Sequence, residues 1–187
     1  DKGIFGFGHD GSPASMTNLV SNAGVVATDV TGVGTARNAL AACEYDGDKG
    51  IFAYGTTGSV SSLSNLVSNA GVVASDVTGV GSARQNLAAC SYGGDKGIFG
   101  YGVTPGYVSL TNLVSNAGVV ATDTTGVGTA RAYIAACEYG DDKGIFAYGH
   151  IGSDKSMSNL VSNTGVVATD VTGVGTARRN LAACSFN

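Results

Sequence analysis

The octet DKGIFGFG at Asp1 returns as DKGIFAYG at Asp48, DKGIFGYG at Asp95 and DKGIFAYG at Asp142, so the chain repeats every 47 residues. No insertion interrupts the period. Each unit carries the same core, NLVSN(A/T)GVVA(T/S)D(V/T)TGVG(T/S)AR, followed by AAC. A unit this short cannot enclose a core alone, so copies bury their apolar faces on one another. Units 1–47, 48–94, 95–141 and 142–187 account for the whole chain as a single repeat domain, which leaves no room for a separate catalytic domain. A quieter alternation runs through the copies: Gly6, Ala53, Gly100, Ala147; Thr17, Ser64, Thr111, Ser158; Glu44, Ser91, Glu138, Ser185. Duplication of a two-unit ancestor accounts for it and favours an even number of units.

Within a unit several segments read as strands. GIFGFG (Gly3–Gly8) is short, aromatic and bounded by Gly. SMTNLVS (Ser15–Ser21) follows a polar loop, NAG (Asn22–Gly24) is a tight turn, and the β-branched VVATDV (Val25–Val30) returns from it. TGVGTAR (Thr31–Arg37) is a Gly-rich connection. NALAACEY (Asn38–Tyr45) is ambiguous. Its Ala content, Thr35 as a cap and Gly47 as a stop suit a helix, whereas a strand here forms a hairpin with the following KGIF across DGD.

The order of an Arg, an Ala-rich segment, a Gly turn, KGIFGYG, a polar loop and a hairpin resembles the Kelch family of β-propeller repeats. Arg37, Arg84, Arg131 and Arg178 match the Arg that precedes that family's innermost strand, and the GxG or YG after the second strand matches its closing glycines loosely. The family's double Gly is spread or reduced here, and its outer-strand Trp is absent, since the chain has no Trp. The resemblance implies that NALAACEY is a strand and that each unit is a four-stranded blade. It predicts an all-β fold: a β-propeller of four 47-residue blades in which the last strand, NLAACSF, completes the first blade. The alternatives left open are a larger or two-chain propeller and a mixed α/β repeat array.

Composition narrows the function classes. Lys and Arg number 10 against 14 acidic residues, which provides no basic stripe for a nucleic-acid backbone. No apolar run approaches the roughly 20 residues that span a bilayer, so no membrane insertion is expected. The chain opens with neither Met nor a signal peptide, as a processed or excised segment does. Thirty Gly against two Pro fits tight turns between short strands better than a disordered linker.

The repeated polar residues read as structural. Cys43, Cys90, Cys137 and Cys184 would suit zinc only as a ring, and no C-x-x-C pair exists. Ala41, Cys43 and Tyr45 share one strand face, so the cysteines are expected as small, reduced, buried hydrophobes between blades. GVGTAR lacks the third Gly of a dinucleotide loop and the Lys-Ser/Thr of a P-loop. The Arg residues and Asp29, Asp76, Asp123 and Asp170 are expected to hydrogen-bond between strands or blades. The Asp46–Asp48 and Asp141–Asp142 carboxylates are too few for a calcium cage. His9 and His150 lack a repeated nucleophile partner. No cofactor, metal or catalytic residue is assigned, and the chain is expected not to be an enzyme.

What differs most between copies lies in two places, and almost everything else is held. The segment after the second strand reads HDGSPAS, TTGSVSS, VTPGYVS and HIGSDKS, and the pair after the Arg reads NA, QN, AY and RN. In an up-down-up-down blade both lie on one face, as a binding surface on a rigid scaffold does. The candidate ligand-binding residues are His9, Asp10, Asn38, Gln85, Tyr107, Tyr133, His150, Asp154, Lys155 and Arg179. They imply a binding or display module for carbohydrate or protein ligands. The alternative is a structural repeat scaffold that serves assembly, with homo-oligomers as partners.

Overall fold

The computed structural model describes residues 2–186, and among them there is no helix: the chain is all-β. The first unit supplies β1 (Gly3–His9) and β2 (Pro13–Val20). The others supply β3 (Ala41–Tyr45), β4 (Lys49–Ala53) and β5 (Ser64–Val67); β6 (Ala88–Tyr92), β7 (Lys96–Gly100) and β8 (Thr111–Val114); and β9 (Ala135–Tyr139), β10 (Lys143–Ala147) and β11 (Ser158–Val161). They form four small antiparallel sheets, β1-β2, β3-β4-β5, β6-β7-β8 and β9-β10-β11. The Ala-rich segment is therefore a strand. Its register places Cys43 opposite Ile51 and Tyr45 opposite Lys49, and the same offsets recur in the next two sheets. Packing overrides helix propensity here. The pair of left-handed residues after each Ala-rich strand (Asp46–Gly47, Gly93–Gly94 and Gly140–Asp141) turns the chain straight back onto KGIF.

The predicted fourth strand is reduced to two bridges. Val67 faces Val73 and Ser64 faces Val77, so a four-residue step on one side opposes a three-residue step on the other. The extra residue breaks the ladder as a bulge does. A side chain fills the gap: Asn65 Nδ2 donates to the Ala74 carbonyl at 3.0 Å and to Asp76 Oδ1 at 2.9 Å. The same arrangement recurs at Asn112 and Asn159.

Successive sheets pack through the alternate face of the Ala-rich strand. Tyr45, Phe99, Val114 and Leu87 share one cluster, with Ala41 and Cys43 against it, and Tyr92, Phe146 and Val161 share the next. A Cβ added to Gly97 would lie 2.6 Å from Cys43 Sγ, and one on Gly144 would lie 2.6 Å from Cys90 Sγ, so the repeated Gly of KGIF makes room for the preceding sheet's sulfur. All four thiols are free. Cys90 is buried, and burial pushes its thiol up to about 12; Cys43 and Cys137 are half-buried, and Cys184 is exposed. Backbone bonds tie the sheets at both ends. Asn86 N–H donates to Ala39 O and Tyr133 N–H to Asn86 O at one end, and Asp46 N–H to Asp95 O and Gly93 N–H to Asp142 O at the other.

A buried Arg closes each three-stranded sheet at one end. Arg37, Arg84 and Arg131 are fully buried. Arg84 Nε donates to Tyr101 O (2.9 Å), Nη1 to Ser82 O (3.2 Å) and Nη2 to Asn112 Oδ1 (2.6 Å), while its guanidinium lies 4.1 Å from the centre of the preceding sheet's Tyr54 ring. The Asp of the irregular strand binds the connector: the Ser82 hydroxyl and N–H both donate to Asp123. The expected structural role of these Arg and Asp residues is thus realised as one repeated clasp.

The clasp has an acid signature. Burial opposes ionisation of Asp76, Asp123 and Asp170, but the hydroxyl, amide and N–H donors around each, with the nearby Arg, outweigh it and hold all three below the ordinary 3.8. A folded pKa below the unfolded one contributes stability that is present above the unfolded pKa and is lost as pH falls through the folded one. The melting temperature should hold level from neutrality to about pH 5 and drop below about pH 4. A melting temperature unchanged down to about pH 2 would contradict this.

The closure implied by the strand offset is not made. The segment Ala182–Phe186, which was to complete the first blade, is exposed and forms no strand, and β1 pairs only with β2. Successive sheets pack on one another in chain order.

Candidate functional site

The variable residues are brought together by short backbone pairings. At three successive places the residue after the Arg bridges the third residue beyond the KGIF strand, which also bridges a residue of the loop: Asn38 with Thr56 and Thr56 with Val60, Gln85 with Val103 and Val103 with Tyr107, Ala132 with His150 and His150 with Asp154. The next residue, Ala39, Asn86, Tyr133 or Asn180, takes a left-handed φ of 51–56° and hydrogen-bonds to its counterpart in the neighbouring unit. The variable positions therefore form a continuous row across the sheets.

At one place in the row the side chains converge. The His150 imidazole lies between two tyrosines, with ring centres 6.2 Å from Tyr107 and 6.4 Å from Tyr133, both edge-on. Its Nδ1 is 2.8 Å from Asp154 Oδ1 and 2.8 Å from Arg179 Nη1. One ring nitrogen cannot donate to the carboxylate and accept from the guanidinium together. Donation from Nδ1 to Asp154 is favoured by charge; it leaves Nε2 to accept from Arg179 Nη1 at 3.2 Å, with the guanidinium also facing the carboxylate at 3.7 Å. The His side chain is 16% exposed, against 41% for Asp154 and 45% for Arg179, so the carboxylate and guanidinium present polar edges to solvent above a half-buried aromatic floor. An amphipathic floor with a fixed donor and acceptor suits a polar ligand that has a flat apolar face.

Five of the ten predicted residues meet here: Tyr107, Tyr133, His150, Asp154 and Arg179. Lys155 adjoins them but turns to Ser153, at 3.0 Å. His9 and Asp10 are exposed in the first unit and serve their own turn, where His9 Nδ1 accepts from Gly11 N–H and Asp10 Oδ1 from Ser12 N–H. Asn38 and Gln85 stand in the row at the intervening units, and Asn38 Oδ1 is buried without a hydrogen-bond partner among the described residues. Among the described residues no Ser, Thr or Cys side chain hydrogen-bonds to His150, and no group of three or more His, Cys, Asp or Glu is placed to hold a metal ion. Among them, too, no helix is long and apolar enough to cross a membrane. On the opposite face the Asp side chains of the turns are engaged by neighbours, Asp95 by Lys96 and Asn116, and Asp142 by Lys143 and Asn163.

Two features escaped the sequence reading. The strain at Tyr133 is one: its left-handed φ of 56° is invisible in a single copy, although Asn at the equivalent positions 86 and 180 is the signal that finds it. The Asn that opens NLVSN is the other: it lies in a strand in all four units, but its side-chain bonds to the Arg and Asp, buried at Asn65, Asn112 and Asn159, have no signal in strand patterning. No protein-family model and no curated protein matches the chain.

Proposed function

We propose that the chain is a non-catalytic binding module of Kelch-like propeller type. Its sheets are blades of a ring larger than one chain closes, and it takes a carbohydrate or protein ligand at the cluster of Tyr107, Tyr133, His150, Asp154 and Arg179. The observation that carries this reading is the convergence of residues that differ between copies onto one partly exposed aromatic and charged cluster, while the repeated residues are used up in holding the sheets. The backbone at Tyr133 adds support. A left-handed conformation costs a Tyr about 1 kcal/mol or more relative to the Asn of two other copies; Phe7, Tyr54, Tyr101 and Tyr148 carry it too, but at a position that is aromatic in every copy, whereas Tyr133 carries it at a varied position. The tyrosines offer flat, low-entropy surfaces with a hydroxyl handle, which suits sugar stacking or a protein anchor.

The test is a glycan-array and protein-ligand screen with the full chain, followed by Tyr107→Ser and Tyr133→Asn. Tyr133→Asn should raise stability by roughly 0.5–1 kcal/mol by relieving strain, and both changes should weaken binding at least tenfold. Binding that is unchanged in both variants, or lost only on changes at the Asp46–Asp48 turn, would place the working face on the other side.

A further inference from the structure

Each unit turns one Val outward. Val25, Val72, Val119 and Val166, the first Val of every GVV, are 65%, 65%, 63% and 65% exposed, whereas the next residues Val73 and Val167 are buried. Units 48–94 and 95–141 have a packed sheet on both sides, so the exposure of Val72 and Val119 is a property of the repeat. These positions are also held in place. Val72 N–H donates to Ser68 Oγ at 3.1 Å and Ser68 N–H to Val72 O at 3.0 Å, which closes the turn before the Val. A Cβ on Gly118 would lie 2.8 Å from Leu66, and one on Gly165 2.8 Å from Leu113, so each turn is seated on the preceding sheet. Ala70 and Ala117 are exposed beside the Val. Apolar tips held rigidly at one per unit form a row of the kind that marks an interaction surface.

The turn that carries the Val also touches the acidic turn before KGIF. Asn69 Nδ2 donates to Asp48 at 3.2 Å, Asn116 Nδ2 to Asp95 at 3.0 Å and Asn163 Nδ2 to Asp142 at 3.0 Å. The Val row and the turn carboxylates therefore share one face, opposite the His150 cluster. Elsewhere the charges cancel: the four repeated Arg against the four Asp of GVVA(T/S)D, Lys155 and Arg179 against Asp10 and Asp154, and Lys2 against Asp1. The net charge of -4 thus belongs wholly to this face, where seven acids meet three Lys. Lys49, Lys96 and Lys143 pair with Asp46, Asp95 and Asp142, which leaves Glu44, Asp48, Glu138 and Asp141 with no cationic partner among the described residues. Burial, and after it the Glu138 and Asp48 carboxylates, push the Glu44 carboxyl above its ordinary value, so acids two units apart feel one another on this face.

We propose that the Val row docks a basic amphipathic segment of another protein, with its apolar side chains on Val72, Val119 and Val166 and its Lys or Arg side chains on Glu44, Asp48, Glu138 and Asp141. Charge selects this occupant. A second copy would bring the same surplus of carboxylates against this one, and an anionic lipid surface or a nucleic acid would be repelled in the same way. A cationic segment neutralises the surplus, while its apolar side covers the valines. The acids without partners steer the encounter, and the Val and Ala tips give the contact its apolar centre. The surface stands apart from the ligand reading, since none of its residues belongs to the His150 cluster.

The experiment is fluorescence anisotropy of the full chain with a labelled synthetic peptide that carries Lys along one side and Leu along the other, and with a scrambled peptide of the same composition. The amphipathic peptide should bind roughly tenfold more tightly than the scrambled one, and its affinity should fall as salt rises. Val72→Ser combined with Val119→Ser should weaken binding by roughly tenfold or more without lowering the melting temperature, because both side chains are exposed. Glu44→Gln combined with Glu138→Gln should weaken it too and flatten the salt dependence. Tyr107→Ser, on the other face, should leave it unchanged. Absence of binding, equal binding of the two peptides, or an affinity indifferent to the paired Val changes would overturn the proposal. So would a mass that rises above 18.5 kDa with concentration and falls back in the paired Val variant, because the row would then serve a second copy.

Discussion

Arg84→Ala is expected to destabilise the protein by about 3–5 kcal/mol, as removal of one partner from a buried charged network does. The guanidinium is fully buried and bonds to Tyr101 O, Ser82 O and Asn112, so its loss leaves three acceptors short of a donor and opens a cavity beneath Tyr54. A loss of this size is a large share of the stability of an ordinary domain. Arg84→Lys should recover little of it, because an ammonium cannot span the forked set of acceptors. Arg178 is the internal control: it occupies the same place in the repeat but is exposed, so Arg178→Ala should leave the melting temperature of the dilute chain almost unchanged. Urea unfolding of the three variants decides the matter, and a cost under about 1 kcal/mol for Arg84→Ala would show that the clasp is incidental.

Gly97→Ala is the second change with a large expected effect. The added Cβ would lie 2.6 Å from Cys43 Sγ, and the crowding should cost about 1–3 kcal/mol. Cys43→Ala alone should cost about 1 kcal/mol or less, because the site is only half-buried and a single sulfur leaves. In the double variant the two should not add: removing the sulfur makes room for the methyl, and a favourable coupling of about 1 kcal/mol or more is expected. Strict additivity would mean that the sulfur and the glycine do not meet, which would break the proposed stacking of successive sheets. The same pair recurs at Cys90 and Gly144, where a repeat of the cycle should give the same sign.

Much of this architecture was legible in the repeat itself. The strand phase of Ala41, Cys43 and Tyr45 already pointed one face at a neighbouring sheet, and the glycine of KGIF became intelligible once that face was known. The choice of strand over helix for NALAACEY was not decided by its own residues, which favour a helix. It rested on a resemblance. The irregular fourth strand was misjudged because Val25–Val30 has good local strand chemistry. Its pairing fails for a non-local reason, an extra residue against Ser64–Val67 and its equivalents that the Asn side chain compensates. The candidate site was half legible. Variation between copies marked the row, but only the stacking of units brings Tyr107, Tyr133 and Arg179, which are distant in sequence, around His150. Closure within one chain was inferred from strand order alone, and strand order does not fix how far each sheet rotates from the last.

The central claim is that the repeated residues hold the sheets while the varied residues around His150 meet the ligand. Amide chemical-shift mapping of the full chain, titrated with a glycan or protein returned by the screen, tests it most directly. The account predicts that the shifted amides lie in Val103–Tyr107, Ala132–Ile134, Gly149–Lys155 and Arg179, with the turns at Asp46–Asp48, Gly93–Asp95 and Gly140–Asp142 unmoved. Shifts that gather at those turns, with the His150 cluster silent, would contradict it.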